Sequence, residues 1–299
     1  MVTDYRAFGM TVIGASHIKS GTVCQDFSLS CELPDRRISV VCDGHGGADY
    51  FRSDRGSRFA VEAFTECMKD PDLIKVLSAA ATQKQQSIRI EQLIKSIIVR
   101  WNELVEQDIK EHPFGEDELS GVSEKARKRY ETGQRLQSAY GTTLIGVMLA
   151  ENFWLGLQIG DGKCVVVSKD GEFTQPIPWD EQCFLNVTTS ICDENAAKEF
   201  RFCFERTLPA AVFIGSDGID DCFAGDERLY DFYRLTLRSF AQTNDQTAVS
   251  QLKDYLPTLS EKGSGDDMSV GIIVNTDFAR QKTAAFEKSQ KASQNEVTP

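Results

Sequence analysis

The chain changes between two hydrophobic periods, and each change marks an element. Residues 38–42, Ile-Ser-Val-Val-Cys, are apolar and β-branched, with charge before them and glycine after, which predicts a buried strand. Residues 8–15 predict an earlier strand and Ser16–Gly21 a polar turn. A strand through Phe27–Leu29 then returns by a hairpin turn at Pro34-Asp35-Arg36-Arg37, so that three strands precede the first helix. Phe59, Ala60, Ala63, Phe64, Cys67 and Met68 recur at helical spacing, as do Ile90, Ile94, Ile97, Trp101, Leu104 and Val105 in a longer helix. Both stripes are packing faces. Residues 111–137 are charged and lack a clear period, which predicts a long surface connection.

From Tyr140 the period is that of strands: Thr142–Leu149, Phe153–Ile159, Cys164–Ser168 and Glu172–Thr174, read as a β meander. Residues 175–210 are irregular, with room for an excursion beyond the sheet. Ala211–Gly215 is a strand, helical spacing returns over 229–240 and 249–259, and Met268–Val274 is the last strand. The expected organisation is one domain over residues 1–280 and a polar, frayed tail over 281–299.

Composition narrows the function. A net charge of −12 disfavours nucleic acid, which needs a basic face. No run of about 18 apolar residues is present, and Met1-Val2-Thr3-Asp4-Tyr5-Arg6 lacks a signal-peptide core, so the expectation is a soluble, cytoplasmic protein with no membrane partner. The nine cysteines are odd in number and form no Cys-x-x-Cys pair, as expected of reduced core thiols and not of zinc ligands.

The chemistry lies at strand ends. Asp43-Gly44, Asp161-Gly162, Asp217-Gly218 and Gly265-Asp266-Asp267 each put an acid beside glycine at the end or start of an apolar run. A lone Asp-Gly is usually a hairpin turn, as expected for Asp170-Gly171. The pairs at Asp43 and Asp217 precede helices instead, and Asp220, Asp221 and Asp267 add charge nearby. If these ends converge, bound cations must offset the repulsion, and oxygen donors without a Cys or His cluster favour Mg2+ or Mn2+. Two such ions can hold a hydroxide for in-line attack on phosphorus. The alternative is solvated loop charge.

Five segments in order resemble the metal-dependent protein serine/threonine phosphatases of type 2C, the PPM family, over residues 9–274. They are Asp43-Gly44-His45-Gly46-Gly47, Tyr140-Gly141-Thr142-Thr143, Ile159-Gly160-Asp161-Gly162-Lys163, Ser216-Asp217-Gly218-Ile219-Asp220-Asp221 and Gly265-Asp266-Asp267-Met268-Ser269. The Gln25-Asp26 region resembles bacterial members. The resemblance implies an α+β fold, a four-layer α-β-β-α sandwich of two antiparallel sheets flanked by helix pairs. It implies that Asp43 bridges two Mg2+ or Mn2+ ions, that the Gly44 carbonyl ligates one of them, and that Asp217 and Asp266 hold the other. Asp26 would bond metal-bound water, Asp161 with Asp217 a weaker third ion, and His45 would be the general acid. The implied substrate is a phosphorylated protein, supplied by a cognate serine/threonine kinase.

The chain departs from the family at several positions. Gln25 stands where the family usually has Glu, and Asp267 where it has Asn, so one change removes a charge and the other returns one. Gly21 stands in place of the phosphate-binding Arg, which leaves Lys19 or His17 to substitute. Lys163 for Arg and Asp220 for Trp read as peripheral, and His112 as plain surface. Three readings therefore stand: an active phosphoserine/phosphothreonine phosphatase, a pseudophosphatase that binds phosphoproteins, and a hydrolase of small phosphoesters.

Overall fold

The computed structural model describes residues 1–183 and 187–281; the expected tail lies outside them from residue 282 onward. The chain begins with β1 (Tyr5–Val12), α1 (Ala15–Ser20), β2 (Phe27–Leu33), β3 (Arg36–Cys42), α2 (Ser53–Lys69), α3 (Leu73–Ser78) and α4 (Gln83–Glu111). Next come α5 (Glu116–Ser120), α6 (Glu124–Glu131), β4 (Leu144–Ala150), β5 (Trp154–Ile159), β6 (Lys163–Val167) and β7 (Phe173–Thr174). The last group is α7 (Ala196–Glu199), β8 (Arg201–Glu205), β9 (Ala211–Gly215), α8 (Asp217–Asp220), α9 (Asp226–Gln242), α10 (Asp245–Lys262) and β10 (Met268–Asn275).

Two antiparallel five-stranded sheets, ordered β1-β10-β9-β6-β7 and β2-β3-β4-β5-β8, stack face to face. The α+β sandwich expected from the sequence is the fold observed. Strand β3 shows why its pattern does not alternate: Ile38, Val40 and Cys42 face α2 and α4, whereas Val41 packs with Ile145, Val147, Val212 and Ile214 between the sheets. A strand covered on both faces carries apolar side chains on both and so does not alternate. The outer face of the other sheet carries α9 and α10 through Phe213, Tyr233, Leu252 and Leu256.

Several expectations need correction. The first strand runs over Tyr5–Val12 and stops before Gly14, where a Cβ would lie 2.4 Å from the Asp266 carbonyl carbon. Residues 15–20 are helical and not a turn, closed by Gly21 at φ 73°, so a helix intervenes before β2. Residues 111–137 hold α5 and α6, anchored by buried Leu119, Ala126 and Tyr130. The strands after Tyr140 are not one meander: β4 and β5 pair in one sheet, and the chain then crosses at Gly160, φ 101°, into the other, where β6 pairs with β9 and β7. Strand β8, which the sequence pattern does not predict, closes the edge beside β5. Among the described residues, no helix is long and apolar enough to cross a membrane.

The pairings bring one set of strand ends together. Val12 opposes Met268, Phe27 opposes Cys42, Leu144 opposes Ile159, and Lys163 opposes Gly215. Asp26, Asp43, Asp161, Asp217 and Asp266 follow or precede these residues, so all five lie at the same end of the sandwich.

Helix α2 is pressed against the chain that enters β4. A Cβ on Gly56 would lie 1.9 Å from the Tyr140 carbonyl oxygen, while the Gly56 carbonyl accepts Trp101 Nε1 at 3.0 Å. Helix propensity favours alanine over glycine by about 1 kcal/mol, but overpacking against a backbone costs about 1–3 kcal/mol or more. Gly56→Ala should therefore lower the urea midpoint; an equal or higher midpoint would show that α2 does not pack on Tyr140 in this way.

Candidate active site

The loop after β3 is held by the approach to β4. Thr143 N–H donates to the Asp43 carbonyl at 2.8 Å, Asp43 N–H to Thr143 Oγ1 at 3.1 Å, and Thr142 Oγ1 to the Asp43 carbonyl at 2.7 Å. His45 N–H donates to the Gly141 carbonyl at 3.0 Å. Gly44 must be glycine, because a Cβ there would lie 2.5 Å from the Gln25 carbonyl and 2.7 Å from that of Ser53. The His45 ring sits edge-on to Tyr50, centroids 5.0 Å apart, over a space that a Cβ on Gly141 would fill at 2.6 Å. Burial pushes the imidazole pKa down to about 4, so His45 is neutral in the free protein.

Asp43 and Asp217 come within hydrogen-bonding reach of each other. Burial raises both, Asp43 well above the carboxylate range and Asp217 to about 6, and the charges of Asp26, Asp161 and Asp266 add to it. Asp217 Oδ1 is buried and has no hydrogen-bond partner among the described residues. Asp26 is also buried and rises to about 8, against a bond that Oδ2 accepts from Ser216 Oγ at 2.8 Å. Burial likewise raises Asp161. Asp266 is exposed, and its Oδ1 accepts the Asp267 N–H at 2.8 Å. These positions fit divalent cations, since a buried carboxylate oxygen without a partner, among further hard oxygen donors, is the donor set such an ion takes.

Gln25 and Asp267 brace this group. Asp267 accepts the amides of Gly14 and Gln25, each at 2.6 Å, and Gln25 Nε2 donates to Ser53 Oγ at 2.7 Å and to the His45 carbonyl at 3.2 Å. His17 turns toward acids: Nδ1 lies 3.0 Å from Asp267 Oδ1 and Nε2 3.7 Å from Asp266 Oδ1. An imidazole therefore joins what the sequence suggested was a purely oxygen-lined group. Lys19 is exposed on α1. Lys163 Nζ lies 2.7 Å from Asp226 and 3.7 Å from Asp220, so the two positions expected to be peripheral face each other. Burial raises Asp220 to about 8.

Pattern reasoning misses the hydroxyls that hold these acids. Ser216 holds Asp26, Ser57 Oγ donates to the Gln25 carbonyl at 2.6 Å, and Ser53 receives the Gln25 amide. A usable signal was present, because Ser53 and Ser57 are four apart at the start of a helix and share its inner face. Arg52 was also missed: it is buried, donates to Glu118 Oε1 at 2.7 Å and to Tyr140 Oη at 2.7 Å, and lies over the Phe114 ring.

The sequence matches the family model described as Protein phosphatase 2C over residues 13–257. No curated protein sequence matches it. Similar solved structures include a C. elegans sex determining protein, at 18% identity and TM-score 0.57, covering 92% of this chain and 66% of that one. PppA, a key regulatory component of the T6SS in Pseudomonas aeruginosa, is 18% identical at TM-score 0.53, covering 90% of this chain and 97% of that one. The catalytic domain of the serine threonine protein phosphatase PstP, in complex with 2 manganese ions, is 15% identical at TM-score 0.56, covering 90% and 97%. At these identities the likeness is one of fold.

The buried carboxyls make stability depend on pH. Asp217 titrates at about 6 and Asp26 and Asp220 at about 8 in the folded chain, against about 3.9 when unfolded. The folded state keeps protons that the unfolded state has released, so the stabilisation is complete below about pH 4 and is lost as pH rises through about 6 to 8. In EDTA the melting temperature should fall over that interval, and fall less in Asp217→Asn. A melting temperature that is flat or rises with pH would mean that these acids are not buried together.

Proposed function

Since the chain belongs to the protein phosphatase 2C family, we propose that it hydrolyses phosphoserine and phosphothreonine esters in proteins with the help of two divalent ions, Mg2+ or Mn2+. Asp43, the Gly44 carbonyl, Asp217 and Asp266 would hold the two ions, and Asp161 with Asp217 a weaker third. The observation that carries this reading is the buried meeting of Asp43 and Asp217, with Asp217 Oδ1 unpartnered among the described residues. The manganese in the PstP structure of the same fold supports it. When bound, such ions supply Lewis acidity and make water acidic enough to attack phosphorus near neutral pH.

The protein's own groups supply position and protons. Asp26, whose Oδ2 accepts the Ser216 hydroxyl, would orient the attacking water. His45, aligned by Tyr50 and Gly141, donates the proton that the leaving serine or threonine oxygen needs. Because it is neutral in the free protein, it takes up that proton in the company of the substrate's phosphate dianion. Lys19 is the better candidate to hold that phosphate, because His17 already faces Asp266 and Asp267. The substrate would come from a serine/threonine kinase of the same compartment, which we assign as the cytoplasm on the free thiols.

One observation favours the alternative of a phosphoprotein-binding regulator. The Gln25 amide is occupied by Ser53 and the His45 carbonyl and adds no charge beside the acids.

The deciding measurement is hydrolysis of a phosphothreonine peptide with Mn2+ and with EDTA. Turnover should require the metal, fall by several orders of magnitude in Asp217→Asn, and show a raised KM in Lys19→Ala. His45→Gln should lower kcat on the peptide by roughly 10²–10⁴, and far less on an aryl phosphate whose leaving group needs no proton. A folded protein with no metal-dependent turnover would be the regulator; turnover confined to small esters would make it a small-phosphoester hydrolase.

A further inference from the structure

Helix α1 is bound to the loop that carries Asp266, and it presents His17 to that loop. Ser16 N–H donates to the Gly265 carbonyl at 2.9 Å, and Ser16 Oγ donates to the same carbonyl at 2.6 Å. Ala15 N–H donates to Ser260 Oγ at 3.0 Å, and that hydroxyl donates to the Asp266 carbonyl at 2.9 Å. Gly14 N–H completes the attachment on Asp267 Oδ1. A helix of six residues is marginal alone, so these bonds fix where the imidazole lies.

Hydrogen bonding does not account for that position. Nδ1 is 3.0 Å from Asp267 Oδ1 yet makes no hydrogen bond among the described residues, and each Asp267 oxygen already accepts a backbone amide. Nε2 is 3.7 Å from Asp266 Oδ1, too long for a hydrogen bond. A shared ion suits this spacing better. Two donors on one divalent ion, each about 2.1 Å from it, can stand up to about 4.2 Å apart. His17, Asp266 and Asp267 each offer one donor atom, and the three atoms lie within 4.8 Å of one another. The Asp266 side chain is 53% exposed, which gives an ion access from solvent.

We propose that His17 is a ligand of the ion assigned above to Asp266, and that its nitrogen turns the site from Mg2+ toward Fe2+ and Zn2+. The inference rests on that reading of Asp266 as a ligand. Mg2+ takes oxygen donors, whereas imidazole suits the later divalent ions. Asp43, Asp217 and Asp266 alone offer only oxygen and leave the choice open. His17 adds the donor that decides it. Asp267 has a part as well, because the ring nitrogen of a metal-bound imidazole that is not on the metal usually faces a carboxylate, and Asp267 Oδ1 is the neighbour of Nδ1.

NMR of the 15N-labelled full chain tests this directly, since it holds only three histidines. Saturating Zn2+ should move one ring nitrogen to the position of a metal-bound imidazole, and Mg2+ should not. His17→Phe, which keeps a ring and removes both nitrogens, should abolish that signal. His45→Gln and His112→Gln should keep it, and they identify the ring if the change at His17 disturbs folding. By titration calorimetry, His17→Phe should weaken Zn2+ binding roughly tenfold or more and Mg2+ binding far less. The inference is overturned if no imidazole shifts with Zn2+, if the shift survives His17→Phe, or if that change weakens both ions equally, which would leave His17 as a counter-charge to the acids only. Metal-dependent peptide hydrolysis beside any of those results would leave the phosphatase reading standing. A Zn2+-bound His17 in a chain without turnover would uphold the inference and remove that reading.

Discussion

Like charges held close together in a partly dry space constrain everything at one end of this sandwich. Asp26, Asp43, Asp217 and Asp267 cannot all be ionised and unpaired there, and the fold answers each in its own way. Asp267 is answered by the backbone, through the amides of Gly14 and Gln25. Asp26 is answered by the Ser216 hydroxyl. Among the described residues Asp43 and Asp217 have no such donors and lean on each other, with burial raising both. Asp267 and Asp26 are thus held by donors of the protein itself, whereas the carboxylates of Asp43 and Asp217 meet each other.

Glycine makes this closeness possible. A Cβ on Gly218 would lie 2.0 Å from the Asp267 carbonyl, and one on Gly14 2.4 Å from the Asp266 carbonyl carbon. The segments bearing Asp217 and Asp266 can therefore touch backbone to backbone. The Asp-Gly pairs that drew attention in the sequence serve packing as much as chain reversal, since Gly44, Gly162 and Gly218 are not among the residues at positive φ.

The parts of the fold that were legible were those buried on both faces. The run at 38–42 is apolar because helices cover one side and a second sheet the other, and its abrupt end at Asp43 was visible for the same reason. Sheet membership was not legible: a period of two says which way a side chain points, not which sheet the strand joins, so the crossing after β5 was hidden. Helices α5 and α6 are too short to show a stripe, and β8 is only five residues, Arg-Phe-Cys-Phe-Glu, after a long irregular stretch. At the candidate site the acids stood out through their glycine neighbours. The hydroxyls of Thr143 and Ser216 did not, because a single serine or threonine carries no period, and Ser53 and Ser57 showed only as a pair one helical turn apart.

The segment 111–137, read from sequence as a surface connection, reaches the imidazole through a traceable series of contacts. Asp49, four residues after His45, accepts Ser123 N–H at 2.7 Å and Ser123 Oγ at 2.8 Å, and the Asp49 carbonyl accepts Tyr130 Oη at 2.8 Å. Arg52 joins the same segment to Tyr140 by binding Glu118 and the Tyr140 hydroxyl together, and Tyr140 Oη donates in turn to Asp108 at 2.5 Å. Tyr140 leads directly into Gly141, whose carbonyl holds His45 N–H and whose missing side chain leaves room for the ring. Helices α5 and α6 thus hold the Asp43–Tyr50 loop from both of its neighbours, the start of α2 and the approach to β4. A displacement of these helices would move the edge of Tyr50 against His45 before it disturbed Asp43, because Asp43 is tied separately to Thr142 and Thr143. The position of the His45 imidazole is therefore separable from the position of the acids, and the segment that looked least informative in the sequence is the one placed to control it.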